Sequence, residues 1–270
     1  MEGRAVNTGT NTARSAAPGT GTPAAAGRQL VVAIDGPSGS GKSSVSKEVA
    51  RRFGLAYLDT GAMYRALTWW CLDRGVDLSD GGAVVEAARS FPLAQGTDPD
   101  RELVFVGGTD VGVEIRGARV TEAVSAVATN QAARAVLVAR QQELIADSGR
   151  RIVAEGRDTT TVVAPDADAR ILLTADERAR LARRGLQNGG REDAEQLRAQ
   201  VVGRDARDSA VVNFTEAADG VVTVDSSALD LEQTVQAVVD VVVRATGRAG
   251  ASPRPTSPPT GRTRPSEGQP

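Results

Sequence analysis

The sequence predicts an α/β fold with a doubly wound parallel sheet of five core strands. Short apolar runs alternate along the chain with longer segments of helical periodicity, which is typical of a parallel sheet covered by helices on both faces. A glycine-rich loop, residues 36–44, separates the first apolar run from the first helical segment. We further expect a small inserted nucleotide-binding domain at about 80–120 and a helical lid at about 176–191.

The glycine-rich loop has the spacing of a phosphate-binding loop (P-loop). Residues 30–34 are β-branched at three of five positions and predict a strand buried on both faces. Glycines let successive N–H groups point at one anion, and the next helix presents its N-terminus to it. We expect Lys42 to reach the β- and γ-phosphates of ATP, and Ser43 or Ser44 to hold Mg²⁺. The predicted nucleotide-binding residues are Gly36, Pro37, Ser38, Gly39, Ser40, Gly41, Lys42, Ser43 and Ser44.

Composition excludes several classes of function. The chain has 270 residues, a formal net charge of −2, one cysteine and no histidine. The lack of histidine excludes Ser-His-Asp and Cys-His catalysis and most zinc sites. The near-neutral charge does not suggest nucleic-acid binding. No stretch is apolar enough to cross a bilayer, and no signal-peptide core is present, so we expect no membrane partner and a cytoplasmic protein. We also expect a monomer, with Cys71 packed in the core.

The order of patterns divides the chain into a central domain and two tails. Residues 1–28 and 247–270 are low-complexity segments and predict disordered tails around a domain at 29–246. The strands after the first are predicted at 55–59, 151–155, 169–174 and 221–225. Helices are predicted at 60–74, 80–90, 121–147, 176–188, 191–209 and 230–245. Within the inserted region, Gly107-Gly108 predicts the turn of a hairpin with strands at 103–106 and 111–113.

Charged side chains follow several of the predicted strands. Ligands in open α/β sheets bind beyond the carboxyl ends of the strands. This rule predicts that Asp35, Asp59, Glu155 and Asp158 share one crevice with the P-loop.

Thr60 and Arg65 open a helix at this edge, where they suit capture of a second phosphate. An N-capping Thr60 with a surface Arg65 is an equally good interpretation. The segment from Glu155 through Arg157 to Asp158 is too charged for a simple turn after so apolar a strand, and it favours a functional site.

Two basic segments come later in the chain. Arg180 and Arg184 lie four residues apart on one predicted helix face, where an anion between them would relieve their repulsion. A mobile lid over transferring phosphates would use such a pair, although a solvated basic face remains an alternative. Arg204 and Asp208 are also four residues apart, and a surface salt bridge is as good an interpretation as a site.

Together these segments resemble the bacterial cytidylate kinase family. The resemblance rests on four motifs in order: Ile-Asp-Gly-Pro-Ser-Gly-Ser-Gly-Lys-Ser-Ser, Tyr-Leu-Asp-Thr-Gly-Ala-Met-Tyr-Arg, Glu-Gly-Arg-Asp and Arg-Asp-x-x-Asp-Ser. It covers about residues 30–246 and implies transfer of the γ-phosphoryl group of ATP to CMP or dCMP, with Mg²⁺. By resemblance, Arg65, Arg157 and Arg204 hold the acceptor phosphate.

The resemblance also implies how the base and sugar are recognised. It assigns Ser125, Arg134 and Asp158 to the base and Asp208 to the sugar hydroxyls. A carboxylate at Asp158 can accept from the exocyclic amino group of cytosine, which uracil lacks. Lys42 and the arginines, with Arg180 and Arg184 on the lid, would neutralise charge in the transition state.

Two departures from the family pattern bear on base recognition. Val211 stands where the family usually has an arginine, and Thr159-Thr160 stand where it generally has an apolar residue and glycine. The alternatives are a kinase for another small acceptor, such as UMP, shikimate or a sugar acid, and a nucleotide-dependent switch or ATPase. No Asn-Lys-x-Asp guanine signature is present, which argues against a GTPase.

Overall fold

The computed structural model describes residues 28–187, 198–209 and 212–247. Five parallel strands form its main sheet: β1 (Leu30–Asp35), β2 (Ala56–Asp59), β6 (Arg151–Gly156), β7 (Ala169–Thr174) and β8 (Val222–Asp225). Their order is β2-β6-β1-β7-β8. All four pairings are parallel. The predicted doubly wound α/β fold with five core strands is confirmed.

Alternate residues of β1 pack into different cores, which is why this strand is apolar throughout. Val31 and Ala33 belong to one hydrophobic cluster, whereas Leu30, Val32 and Ile34 belong to a second. A parallel sheet with a core on each face produces this pattern. The same register places Asp35 beside Gly156 and Ile34 beside Glu155, so the strand ends that carry polar residues lie side by side.

The helices follow the predicted segments closely, except at 121–147 and at 191–209, where the described part is a π-helical turn at Ala199–Gly203 and a short α-helix after it. Those of the described chain are α1 (Lys42–Phe53), α2 (Thr60–Asp73), α3 (Gly81–Ser90), α4 (Ala118–Ala128), α5 (Gln131–Asp147), α6 (Glu177–Gln187), α7 (Arg204–Ser209) and α8 (Leu231–Thr246). The single long helix predicted at 121–147 is wrong. Asn130 accepts from the Ala133 N–H at 3.1 Å and caps a new helix there.

The inserted region contains a small antiparallel sheet, β3 (Leu93–Gln95), β4 (Val104–Val106) and β5 (Thr109–Asp110). The predicted hairpin exists, and Gly107 and Gly108 form its turn with positive φ values of 59° and 85°. Its second strand lies at 109–110 rather than 111–113, because the chain turns into a short 3₁₀ segment at Glu114–Arg116. The periodicity did not predict β3.

Burial of Cys71 agrees with the expected core role. Its side chain is fully buried in the cluster that covers one face of the sheet, and burial raises the pKa of its thiol to about 11. Across the described ranges, no helix is both long and apolar enough to span a bilayer.

Candidate active site

The P-loop runs between the end of β1 and the start of α1. Gly36, Gly39 and Gly41 have φ values of 153°, 79° and 93°, which side-chain-bearing residues adopt only with strain. Helix α1 begins at Lys42, whose Nζ donates to the Pro37 carbonyl at 2.9 Å. The loop therefore wraps around the lysine side chain and turns the N-terminus of α1 toward the same space.

The space around Gly36 is the tightest in this loop. A Cβ built at Gly36 would lie 2.1 Å from the Leu173 carbonyl oxygen of β7. We expect Gly36→Ala to lower the free energy of unfolding by about 3 kcal/mol or more, because the new Cβ clashes with backbone at a φ that only glycine adopts without strain. Urea unfolding measures this loss.

Gly54→Ala is the matched control for that substitution. Gly54 also has a positive φ, 60°, but no atom lies within 4 Å of its built Cβ. We expect Gly54→Ala to lower the free energy of unfolding by only about 1–2 kcal/mol, because the left-handed backbone is the only source of strain. Equal losses for the two variants would contradict the packing argument at Gly36.

The P-loop forms one wall of a cavity of about 470 Å³ at the carboxyl ends of the strands. Six basic and three acidic side chains line it, so it carries net positive charge. The lining residues that the sequence predicted are Ser38, Gly39, Gly41, Lys42, Ser43, Ser44, Asp59, Arg65, Glu155, Arg157 and Arg184; the others are Lys47, Gly61, Glu102, Arg116 and Gly156. The structure thus brings together cationic groups from five segments that are distant in sequence.

Glu155 lies at the floor of the larger cavity. Its carboxylate accepts from the Ser43 hydroxyl of the P-loop and from the Tyr57 hydroxyl at 3.0 Å. Burial raises the pKa of Glu155, the neighbouring Asp59 raises it further, and Lys42 opposes the shift. Burial likewise lowers the pKa of Lys42, whereas Glu155 raises it. The sequence predicted that Glu155 lies in the crevice but did not predict which residue it contacts. The structure shows that it contacts Ser43.

A second, smaller cavity of about 50 Å³ adjoins the first, and both are lined by Gly61, Gly156 and Arg157. Its other lining residues are Thr60, Tyr64, Val124, Ala128, Arg134, Asp158, Asp208 and Val212. Arg134 forms an ion pair with Asp158, and both side chains are almost completely buried. Ser125 donates to Asp208 at 3.2 Å beside this cavity. Four of the residues predicted to bind the acceptor's base and sugar therefore lie together.

Arg157 stands between the two cavities and is held by two carboxylates. Its Nη1 donates to Asp205 at 2.7 Å, its Nε lies 2.9 Å from Asp208, and its guanidinium lies over the Phe214 ring. Asp208, which the sequence assigned either to a surface salt bridge with Arg204 or to a site, pairs here with Arg157. Asp205 was not among the predicted site residues.

The two lid arginines differ in their surroundings. Arg184 lines the larger cavity, whereas Arg180 pairs with Asp205 and donates to the Ser38 carbonyl at 3.2 Å. The sequence predicted an anion between the two arginines. For Arg180 this anion is the carboxylate of Asp205. Arg183, which the sequence did not single out, donates to the Ser40 carbonyl at 3.1 Å and fixes α6 to the P-loop.

Asp35 does not open into either cavity, so its predicted place in the crevice is wrong. Its carboxylate is 2% exposed and accepts from the Thr159 and Thr160 N–H groups and the Thr160 hydroxyl at 2.6–2.8 Å. Burial raises the pKa of Asp35, and these hydrogen bonds oppose the shift. The threonines that depart from the family pattern thus bind β1 and hold a π-helical turn at Thr159–Val163.

Several predicted features lie outside the described residues. Val211, residues 188–191 of the lid and nearly all of both tails are among them. Arg204 begins α7, but its side chain is not described.

Comparison with known proteins decides the family. A family model described as cytidylate kinase matches residues 32–244. The chain belongs to the cytidylate kinase family. A cytidylate kinase from Nocardia farcinica is 49% identical over 227 residues, 82% of this chain and 97% of the relative. One from Rhodococcus opacus is 49% identical over 222 residues, covering 81% and 96%. One from Cutibacterium acnes is 48% identical over 214 residues, covering 79% and 96%.

The cytidylate kinase match begins within β1 and ends within α8, so it includes the inserted region, α6 and all residues that line the two cavities.

Proposed function

We propose that this chain transfers the γ-phosphoryl group of ATP to CMP or dCMP and releases ADP with CDP or dCDP. One observation carries the proposal beyond family membership. A large, positively charged cavity at the P-loop meets a smaller cavity that contains a buried carboxylate, and Arg157 lies at their junction. Two nucleotides can then meet with their phosphates together.

On the donor side, the P-loop from Gly36 to Ser44 binds the triphosphate of ATP. Positive φ at Gly39 and Gly41 supports this role, because the backbone can then direct several N–H groups at one anion. Lys42 lies at the start of α1, where the helix dipole adds to its charge. The β- and γ-phosphates sit next to its ammonium group.

On the acceptor side, the phosphate of CMP lies against Arg65 and Arg157, with Arg204 as a third partner. The base occupies the smaller cavity, where Asp158 accepts from the exocyclic amino group and Arg134 and Ser125 contact the ring. Asp208 takes the sugar hydroxyls, and Thr60 lines the path between base and phosphate. Burial of Asp158 at 3% exposure supports its role, because a buried carboxylate discriminates strongly between an amino donor and a carbonyl oxygen.

Mg²⁺ fits the larger cavity through the hydroxyl of Ser43. Its neighbour Glu155 and the nearby Asp59 are oxygen donors of the kind that Mg²⁺ prefers, and Ser44 lines the same cavity. In the described part of the chain no cluster of three His, Cys, Asp or Glu residues could hold a metal by itself. This suits a Mg²⁺ ion held mainly by substrate phosphates and water. When bound there, it would supply positive charge that neutralises the phosphates of ATP.

The chain's own groups supply positioning and charge. Lys42, Arg65, Arg157 and Arg184 surround the larger cavity and stabilise charge that spreads over the transferring phosphoryl group. Arg180 acts beside this cavity through its contact with the P-loop, and Arg204 adds a further positive charge. Helix α6 is the described part of the lid, which closes to exclude water that would otherwise hydrolyse ATP. The inserted region contributes Glu102 and Arg116 to the cavity wall and completes the acceptor side.

The test is turnover of CMP, dCMP and UMP side by side, with ATP and Mg²⁺, by the purified chain. We expect CDP and dCDP to form with stoichiometric ADP. UMP should react far more slowly, because uracil presents a carbonyl oxygen instead of an amino donor to the carboxylate of Asp158. Binding of ATP without a diphosphate from any pyrimidine monophosphate would refute the proposal. ATP hydrolysis stimulated by nucleic acid would instead indicate a nucleotide switch.

A further inference from the structure

Asp205 joins three parts of the active site that are far apart in sequence. Its Oδ1 accepts from the Ser38 N–H of the P-loop at 3.1 Å and from Arg157 Nη1 at 2.7 Å. Its Oδ2 pairs with Arg180 Nη1 on α6. The residue is 7% exposed and lies on the short helix α7. One buried carboxylate thus contacts the P-loop, the segment after β6 and the described part of the lid.

The geometry fixes how Arg157 faces the substrates. A guanidinium group is planar, so holding two of its nitrogens sets the direction of the third. Asp205 holds Nη1 and Asp208 holds Nε, and both carboxylates come from α7. Arg157 lines both cavities, so its Nη2 direction depends on these two contacts.

The contact with Arg180 fixes the described part of the lid. Arg180 Nη1 also donates to the Ser38 carbonyl at 3.2 Å, and the backbone of Arg180 lies against Gly39. Arg180 Nε is buried and has no hydrogen-bond partner within the part of the chain that the structure describes. Such a donor is costly to bury unpaired, which points to an acceptor supplied by ligand or water.

We propose that Asp205 is a positioning residue for phosphoryl transfer, which aligns Arg157 and ties the lid arginine Arg180 to the P-loop. The proposal rests on the proposed function. Asp205 also neutralises part of the charge on both arginines, so it weakens the attraction of the empty site for anions. Its removal should therefore lower turnover without weakening ground-state binding of ATP.

The decisive variant is Asp205→Asn, which keeps the shape of the side chain and removes its charge. We expect kcat for CMP to fall about 100-fold, because Arg157 no longer holds its alignment with the reacting phosphates. Calorimetric titration with ATP alone should show a Kd equal to or lower than that of the wild type, since the site has gained a net positive charge. A residue that only supports folding would lower affinity and turnover together.

Two further variants keep the test decisive. Asp205→Glu restores the charge but displaces the carboxylate, so we expect wild-type ATP affinity with a kcat that stays low. Asp166→Asn removes an exposed carboxylate paired with Arg150 at 2.9 Å and should leave every parameter unchanged. Thermal melts measure the folded fraction of each variant, including any loss of fold in Asp205→Asn.

An unchanged kcat in both Asp205 variants would overturn the proposal. So would a fall of kcat and ATP affinity in proportion to the loss of folded protein. Failure of the proposed function is a separate result, because the wild-type chain would then give no CDP or dCDP at all.

Discussion

Replacing Lys42 with methionine is expected to lower kcat for CMP by at least about 10³-fold without unfolding the protein. Methionine keeps the length of the side chain and removes the charge next to the transferring phosphoryl group. The ammonium contacts the Pro37 carbonyl at 2.9 Å, inside the curl of the P-loop, so its position is fixed before ATP arrives. Steady-state ADP release and a thermal melt measure the two quantities.

Lys47→Met is the matched comparison, since it removes the same charge farther along α1. Lys47 lines the rim of the larger cavity and is already paired with Glu102, so we expect a much smaller loss. The pH profile of kcat/KM adds a second readout. Burial lowers the pKa of Lys42. The kcat/KM of the wild type should therefore fall at a lower pH than the pH at which an ordinary lysine loses its proton. Equal effects of both substitutions would contradict the assignment of Lys42.

Asp158→Asn is expected to lower the preference for CMP over UMP by about 10³-fold, a large part of the discrimination that a buried hydrogen-bonding site can supply. The carboxylate accepts from the cytosine amino group, whereas an amide can also donate to the uracil oxygen. Asp158 is 3% exposed and paired with Arg134, so water does not compensate for a mismatch. Competition between the two monophosphates in one reaction gives the ratio directly.

The ratio of CMP to UMP turnover does not depend on how much of the protein is folded. This is needed here because Asp158→Asn should also destabilise the fold. Weakening a buried ion pair destabilises a protein by up to about 3–5 kcal/mol, so the melting temperature of Asp158→Asn should fall as well. Asp168→Asn is a control, because Asp168 accepts from the Val31 N–H at 2.8 Å and lines neither cavity. It should leave the ratio unchanged. A wild-type ratio in Asp158→Asn would refute the base assignment.

The features that the sequence predicted are those encoded by residues close together in the chain. A strand, a glycine loop and an amphipathic helix in direct succession define the P-loop without help from distant residues, and the five strands were found for the same reason. The hairpin turn at Gly107-Gly108 is also a local signal. By contrast, the break between α4 and α5 was missed, because one capping asparagine in a continuous apolar pattern is a weak signal. Strand β3 has only three residues and offers no period.

Ion pairs across the site could not be predicted from spacing. The motif at residues 204–209 suggested either a surface salt bridge between Arg204 and Asp208 or a site. The structure pairs Asp208 with Arg157, which lies 51 positions earlier. A signal did exist. Asp205 and Asp208 are three residues apart on one face of α7, and two carboxylates on one buried face require cations from elsewhere. The sequence does not say which of its many arginines supply them.

The sequence by itself determined the doubly wound sheet, the P-loop and the family, because these depend on short-range backbone preferences and on motifs in a fixed order. Only the tertiary structure decided that Asp35 is buried against Thr159 and Thr160, that Glu155 binds Ser43, and that Asp205 holds Arg157 and Arg180. A charged side chain can pair with any opposite charge that the fold brings within about 4 Å, and that choice depends on how distant elements pack.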